Sequence, residues 1–183
     1  MTGISKNLKT IDMATIHLKT IIHADIGNVF DLARDIDLHQ KSTARTHEKA
    51  IAGRTSGLIE YGETVTWSAK HLGVYQTLTT KIVCMEKPYH FTDIMVKGAF
   101  KSMKHQHIFK HEGTSTVMTD IFEFESPLGI AGRIFNRLFL EKYMRNFLLE
   151  RNGLIKNTAE NKQNNTGLNE SVGKGENNIL DAH

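Results

Sequence analysis

The sequence predicts an α+β fold in which an antiparallel sheet of about seven strands is covered by one long C-terminal helix, with two short helices after the first strand. Three observations lead to it. Residues 15–23 alternate like a strand and run directly into two short helical stretches. From about His47 to Ser126 the alternation continues, interrupted only by turn-forming clusters. After Pro127 and Gly129 the apolar period changes from two residues to about 3.6 and holds for roughly 25 residues.

In order along the chain, "TIHLKTIIH" (15–23) places Ile16, Leu18 and, after Thr20, Ile22 on one side of a strand. Asp25 stands where an N-cap is needed, ahead of Val29, Phe30 and Ala33 at helical spacing, and Asp35 opens a second short helical stretch. The clusters "GRTSG", "KHLG", "EKPY", "KGAF" and "HEGT" then mark hairpin turns, at which Gly98 and Gly113 supply backbone freedom. Between them the apolar positions alternate: Val65 and Trp67; Val74, Leu78 and Ile82; Met103 and Phe109; Met118, Phe122 and Phe124. Cys84 shares the parity of Ile82 and is expected inward. The long helix is expected over roughly residues 128–152, with Ile130, Ile134, Phe135, Leu138, Phe139, Met144, Phe147 and Leu148 as its apolar stripe. Arg133, Arg137, Glu141 and Arg145 follow its back at i,i+4 spacing. A helix of that size is on the order of 35–40 Å long, enough to lie across a whole sheet.

A length of 183 residues with 39% hydrophobic content suits one domain, expected over 14–156. Residues 1–13 read as a flexible leader. Residues 157–183 are rich in Asn and contain no Phe, Trp or Tyr, a composition that predicts a disordered tail. The single cysteine excludes an intramolecular disulfide framework and a multi-cysteine zinc cage, and fits a reducing, cytoplasmic setting. No apolar run approaches the roughly 20 residues a membrane span requires. With a net charge of +3 and both signs mixed along the chain, nucleic acid is not an expected partner.

Strand parity also predicts a site. If Met103 and Phe109 face inward, so do His105 and His107 between them; the parity of Met118 and Phe122 brings Asp120 inward, and that of Phe91 and Met95 brings Asp93. Hairpins turning at "EGTS" and "GAF" set His107 opposite Asp120 and His105 opposite Asp93. A buried carboxylate costs several kcal/mol unless it is paired, so an inward Asp beside an inward His makes both tolerable. Glu63 and His71, at the parity of Trp67, are candidates to extend this polar zone.

The stretches "GETVTWSAKHLG" (62–73), "FTDIMVKGAFKSMKHQHIF" (91–109) and "TVMTDIFEFESPLG" (116–129) resemble the START-like superfamily, also called SRPBCC or polyketide cyclase/dehydrase-like. Within it they are most similar to a bacterial branch of ligand-binding or cell-division-inhibitor-like proteins. The resemblance covers about residues 15–155 and implies the helix-grip fold, a curved antiparallel sheet wrapped around the long helix with a cavity between them. Members of the superfamily include enzymes, lipid carriers and chaperone cofactors, so the resemblance implies no single activity.

Three readings of the inward polar residues stand side by side. They are a structural network that orients strands, a set of ligand contacts, or a metal or catalytic centre. Against a metal stands the pairing of each histidine with its own carboxylate and the lack of a third placed histidine; against catalysis, the lack of a placed nucleophile. The expected function is binding of a small, largely apolar or lipid-like molecule, with no cofactor and no metal. Phe91, Met95, Met103, Phe109, Met118 and Phe122 would supply apolar wall, and Trp67, Asp93, His105, His107 and Asp120 would orient the ligand. The alternative is a cyclase- or hydratase-type enzyme using an inward Asp–His pair, from His107, Asp120, His105 and Asp93, as general acid and base.

Overall fold

The computed structural model describes residues 13–71, 73–125 and 139–176. Strand β1 (Ala14–Ile22) is followed by α1 (Ile26–Ala33) and α2 (Ile36–Ser42), a short 3-10 turn, and then β2 (Lys49–Gly53), β3 (Thr64–His71), β4 (Val74–Glu86), β5 (His90–Lys97), β6 (Ser102–Glu112) and β7 (Ser115–Glu125). The last element is α3 (Glu141–Glu176). The seven strands form one sheet in the order β1-β7-β6-β5-β4-β3-β2, and every neighbouring pair is antiparallel. No helix among the described residues is long and apolar enough to cross a membrane.

Local chemistry accounts for the helix starts. The carboxylate of Asp25 accepts from the amides of Gly27 and Asn28, and that of Asp35 accepts from Asp37 and Leu38, so both short helices open on an Asp N-cap. Helix α1 drops Phe30 onto the sheet, where its ring meets Phe91 edge-on at 5.6 Å and Phe109 at 5.3 Å. One half of the core gathers around this contact. The other half joins Ile16, Leu18, Met103, Phe122 and Phe124 to Leu148 of α3.

The sharpest backbone demand lies at Gly53, the end of β2. Its φ is +73°, and an added Cβ would stand 2.2 Å from the carbonyl oxygen of Thr64. Gly53→Ala is therefore expected to cost more than about 1 kcal/mol, read as a lower midpoint of urea unfolding; a midpoint unchanged from the parent chain would contradict this packing.

Three expectations are corrected. Cys84 is exposed, because a bulge between Ile82 and Cys84 inserts one residue and reverses the parity of the last turn of β4. Met85 takes the inward place and packs against the core. Val74, at the tip of the β3–β4 hairpin, is exposed as well. Finally, α3 ends neither near residue 152 nor at Asn157 but runs 36 residues to Glu176. The expected disordered tail thus begins as helix. Leu148, Arg151, Asn152, Ile155 and Ala159 are all buried on one stripe of this helix, and Glu160 accepts from the His23 amide at 2.9 Å. Residues 128–138, the first part of the expected helix, lie outside the described residues, as do residues 1–12 of the leader.

Candidate functional site

The strand registers bring the inward polar residues together: His107 pairs with Asp120, and Asp93 with His105. The side chains nevertheless bond on the diagonal. His105 Nε2 lies 3.0 Å from Asp120 Oδ1, and His107 Nδ1 approaches the same oxygen at 2.9 Å, off the line of a good hydrogen bond. The opposite nitrogen of His107, Nε2, is 3.5 Å from Asp93 Oδ1. One carboxylate thus serves both imidazoles. Asp120 is fully buried, His107 is 2% exposed and His105 is 7% exposed, while Asp93 is partly open. The two imidazole centroids are 3.8 Å apart, and the face of His107 stacks on Phe91 at 4.1 Å.

Helix α3 closes this cluster from above with residues the sequence reading passed over. Asn152 Nδ2 donates to Asp120 Oδ2 at 2.6 Å and to Thr20 Oγ1 at 3.3 Å. Arg151 donates from Nη2 to the carbonyl of Ala33 at 2.6 Å, and its Nη1 lies 3.9 Å from Asp120 Oδ1. Their signal was available in the spacing. From Leu148 the core stripe continues at three and four residues to Arg151 and Asn152, so two polar side chains occupy buried helix positions.

The polar cluster forms part of the wall of a cavity of about 120 Å³ between sheet and helices. Trp67, Phe91, Met103 and Phe122 line it, with Asp93, His105 and His107. Asp120 sits behind the two histidines. Phe109 and Met118 belong instead to the packed core under Phe30, and Met95 packs against the other core cluster. The reason is helix α1, whose Phe30 fills the space above Phe109. Glu63 turns away altogether and pairs with Arg54 at 2.9 Å. Glu48 and His39 join the wall unforeseen, with His39 Nε2 at 3.4 Å from Glu48 Oε1 and the His39 ring 4.2 Å from that of Trp67.

Burial pushes the Asp120 carboxyl upward, but the hydrogen bond from His105 and the close approach of His107 outweigh it and hold the group well below the usual carboxylate range. Asp93 is lowered in the same way: burial raises it, and His107, His105 and Arg151 bring it down. His105 is pushed down to about 4, by burial first and by neighbouring His107 second. It is therefore neutral near pH 7 and supports Asp120 as a hydrogen-bond donor, not as a cation. Burial also lowers Arg151, against the opposing pull of Asp120, Asp93 and Glu48.

Three buried polar atoms in the cavity wall lack a hydrogen-bond partner among the described residues: Glu48 Oε2, His107 Nδ1 and Arg151 Nη1. Arg34, also on the wall, is satisfied by Asp31, Glu60 and the Ile59 carbonyl. Such atoms are costly to bury unpaired, and the residues that carry them line a space whose remaining surface is largely apolar.

Comparison with solved structures matches this arrangement of sheet and helices to a START superfamily protein from Mycobacterium smegmatis, at 11% identity and a TM-score of 0.62, covering 80% of this chain and 97% of that one. This chain has the START-like, helix-grip fold. The same START-like fold appears in the ginseng major latex-like protein 151 from Panax ginseng, at 18% identity and a TM-score of 0.58, covering 80% of this chain and 97% of that one. It also appears in the di-domain ARO/CYC StfQ from the steffimycin biosynthetic pathway, at 10% identity and a TM-score of 0.64, covering 83% of this chain and 52% of that one. No family model matches the sequence. No curated protein matches it either. At these identities the likeness concerns the fold, and the chemistry has to be argued from the site.

Proposed function

We propose that this chain is a cytoplasmic, non-catalytic binding protein for a small, largely apolar molecule held between the sheet and α3. The observation that carries the reading is the pairing of an apolar wall with the three unpartnered atoms of Glu48, His107 and Arg151. A ligand with an acceptor for Arg151 and a donor for Glu48 would satisfy two of them. The volume narrows the class further. A cavity of about 120 Å³ is below the roughly 300–1,000 Å³ of drug-sized sites and close to the engineered cavity of about 150 Å³ that takes benzene. The expectation of a lipid-like occupant gives way to one of about a single ring bearing a hydroxyl, amine or carbonyl.

Trp67 is the sole tryptophan and lines the cavity, so its emission reports on occupancy. Titration with ring-sized phenols and aromatic amides is expected to change that emission saturably. Val65→Phe, which pushes a ring into the same space, is expected to weaken the response at least about tenfold. A folded protein whose Trp67 emission responds to none of these compounds would oppose the reading.

The rival, an enzyme of the cyclase or hydratase type, draws on His107 lying between Asp93 and Asp120. It calls for turnover that His107→Gln removes while ring-compound affinity stays within a few fold. Equal loss of both in that variant would favour the binding protein.

A further inference from the structure

Recognition of an apolar ring leaves one property of the cavity unexplained, a surplus of carboxylate. Asp93, Asp120 and Glu48 line or back the space, whereas Arg34 is taken up by Asp31 and Glu60, which leaves Arg151 to oppose them among the described residues. Excess charge of one sign away from water is expensive unless a counterion shares the site.

The geometry points to a divalent transition-metal site, of the zinc or cobalt class, formed by Asp93, His105 and His107 on the inner face of β5 and β6. Each of the three can offer one ligand atom such that all lie within 4.8 Å of one another. Two imidazoles and a carboxylate are the donor types these ions take, and three protein ligands leave a fourth position facing the cavity. The sequence argued against a metal because each histidine had a carboxylate of its own. The structure removes that objection. Asp120 stands behind both rings, 3.0 Å from His105 Nε2 and 2.9 Å from His107 Nδ1, which leaves the opposite nitrogen of each ring for a metal and frees Asp93 to be a ligand. A buried carboxylate bonded to the far side of ligating histidines orients them and raises their basicity. Asn152, donating to Asp120 Oδ2 at 2.6 Å, fixes that carboxylate in turn. His107 is 2% exposed, and its Nε2 lies 3.5 Å from Asp93 Oδ1, so two of the three donor groups already stand side by side. The site does not require an organic molecule in the cavity.

The test is a titration of the chelator-stripped full chain with Co²⁺ alone, followed by visible absorption and by calorimetry. We expect one equivalent to bind with the intense bands of a four- or five-coordinate ion, and Asp93→Ala and His105→Gln each to weaken binding at least about tenfold. Asp93 is partly open, so Asp93→Ala should keep the fold, which circular dichroism checks. Absence of a saturable band in the parent chain overturns the site, and so does a band that survives undiminished in both variants. The Trp67 response to ring compounds, measured on the stripped protein, tests the cavity reading separately.

Discussion

Asp120→Ala is expected to lower the stability of the fold by about 3–5 kcal/mol, among the largest losses any single substitution here should produce. The carboxylate is fully buried and is the common partner of His105, His107 and Asn152, with Arg151 at 3.9 Å. Removing it leaves a buried guanidinium without its nearest counter-charge and an amide and an imidazole without their acceptor. The cost is that of stranded partners as much as of the lost bonds. Asp120→Asn, which retains the shape and one acceptor, is expected to lose less. Urea unfolding of the metal-free protein checks both, and a loss below about 1 kcal/mol for Asp120→Ala would show that the cluster is not held through this residue.

The second large effect is a loss of stability in mild acid. His105 has its folded pKa pushed down to about 4, below the roughly 6.5 of an unfolded histidine. Between those values the unfolded chain takes up a proton that the native chain refuses, so stability falls as pH drops from about 6.5 to about 4. The groups facing His105 are His107 on its own strand, Asp120 on β7 and Asp93 on β5, with Arg151 of α3 beside Asp120 at 3.9 Å. Asp120 and Asp93 act in the same direction at lower pH. Their folded pKa values lie below the unfolded range, so the stability they contribute is present above about pH 4 and is lost as pH falls further. A shift of this size corresponds to on the order of 3 kcal/mol for His105. Unfolding free energies of the metal-free chain at pH 7 and pH 4.5 should show most of that difference, and His105→Gln should flatten it. An unchanged slope in His105→Gln would assign the acid sensitivity to another group.

What could be read from the sequence, and what could not, follows from how each residue is placed. Period-two alternation on β5, β6 and β7 is enough to turn Asp93, His105, His107 and Asp120 inward and to set their registers, because a strand leaves a side chain only two directions. The diagonal bonding was not legible, since it depends on how far each ring reaches across the pleat. Nor was Cys84, because a bulge announces itself by no residue type and reverses everything beyond it. Composition does not announce the helix beyond Asn157, where Ala159 is buried and Glu160 accepts from the His23 amide, contacts an Asn-rich stretch does not advertise. Arg151 and Glu48 are not legible in the sequence, because nothing local separates a charged residue buried in a cavity wall from one that faces water. Their burial makes sense only once Asp120 and the cavity are known.

The most direct test of a cavity with an apolar wall and a polar floor is methyl NMR of the methionines during titration with a ring-sized phenol. Met103 and Met144 line the cavity, whereas Met85 packs elsewhere against the core and Met118 is fully buried under Phe30. The account predicts saturable shifts at Met103 and Met144, with Met85 and Met118 little changed. Methionine spectra that stay folded and unmoved at Met103 and Met144 for every ring-sized compound, or that shift only at Met85, would contradict it.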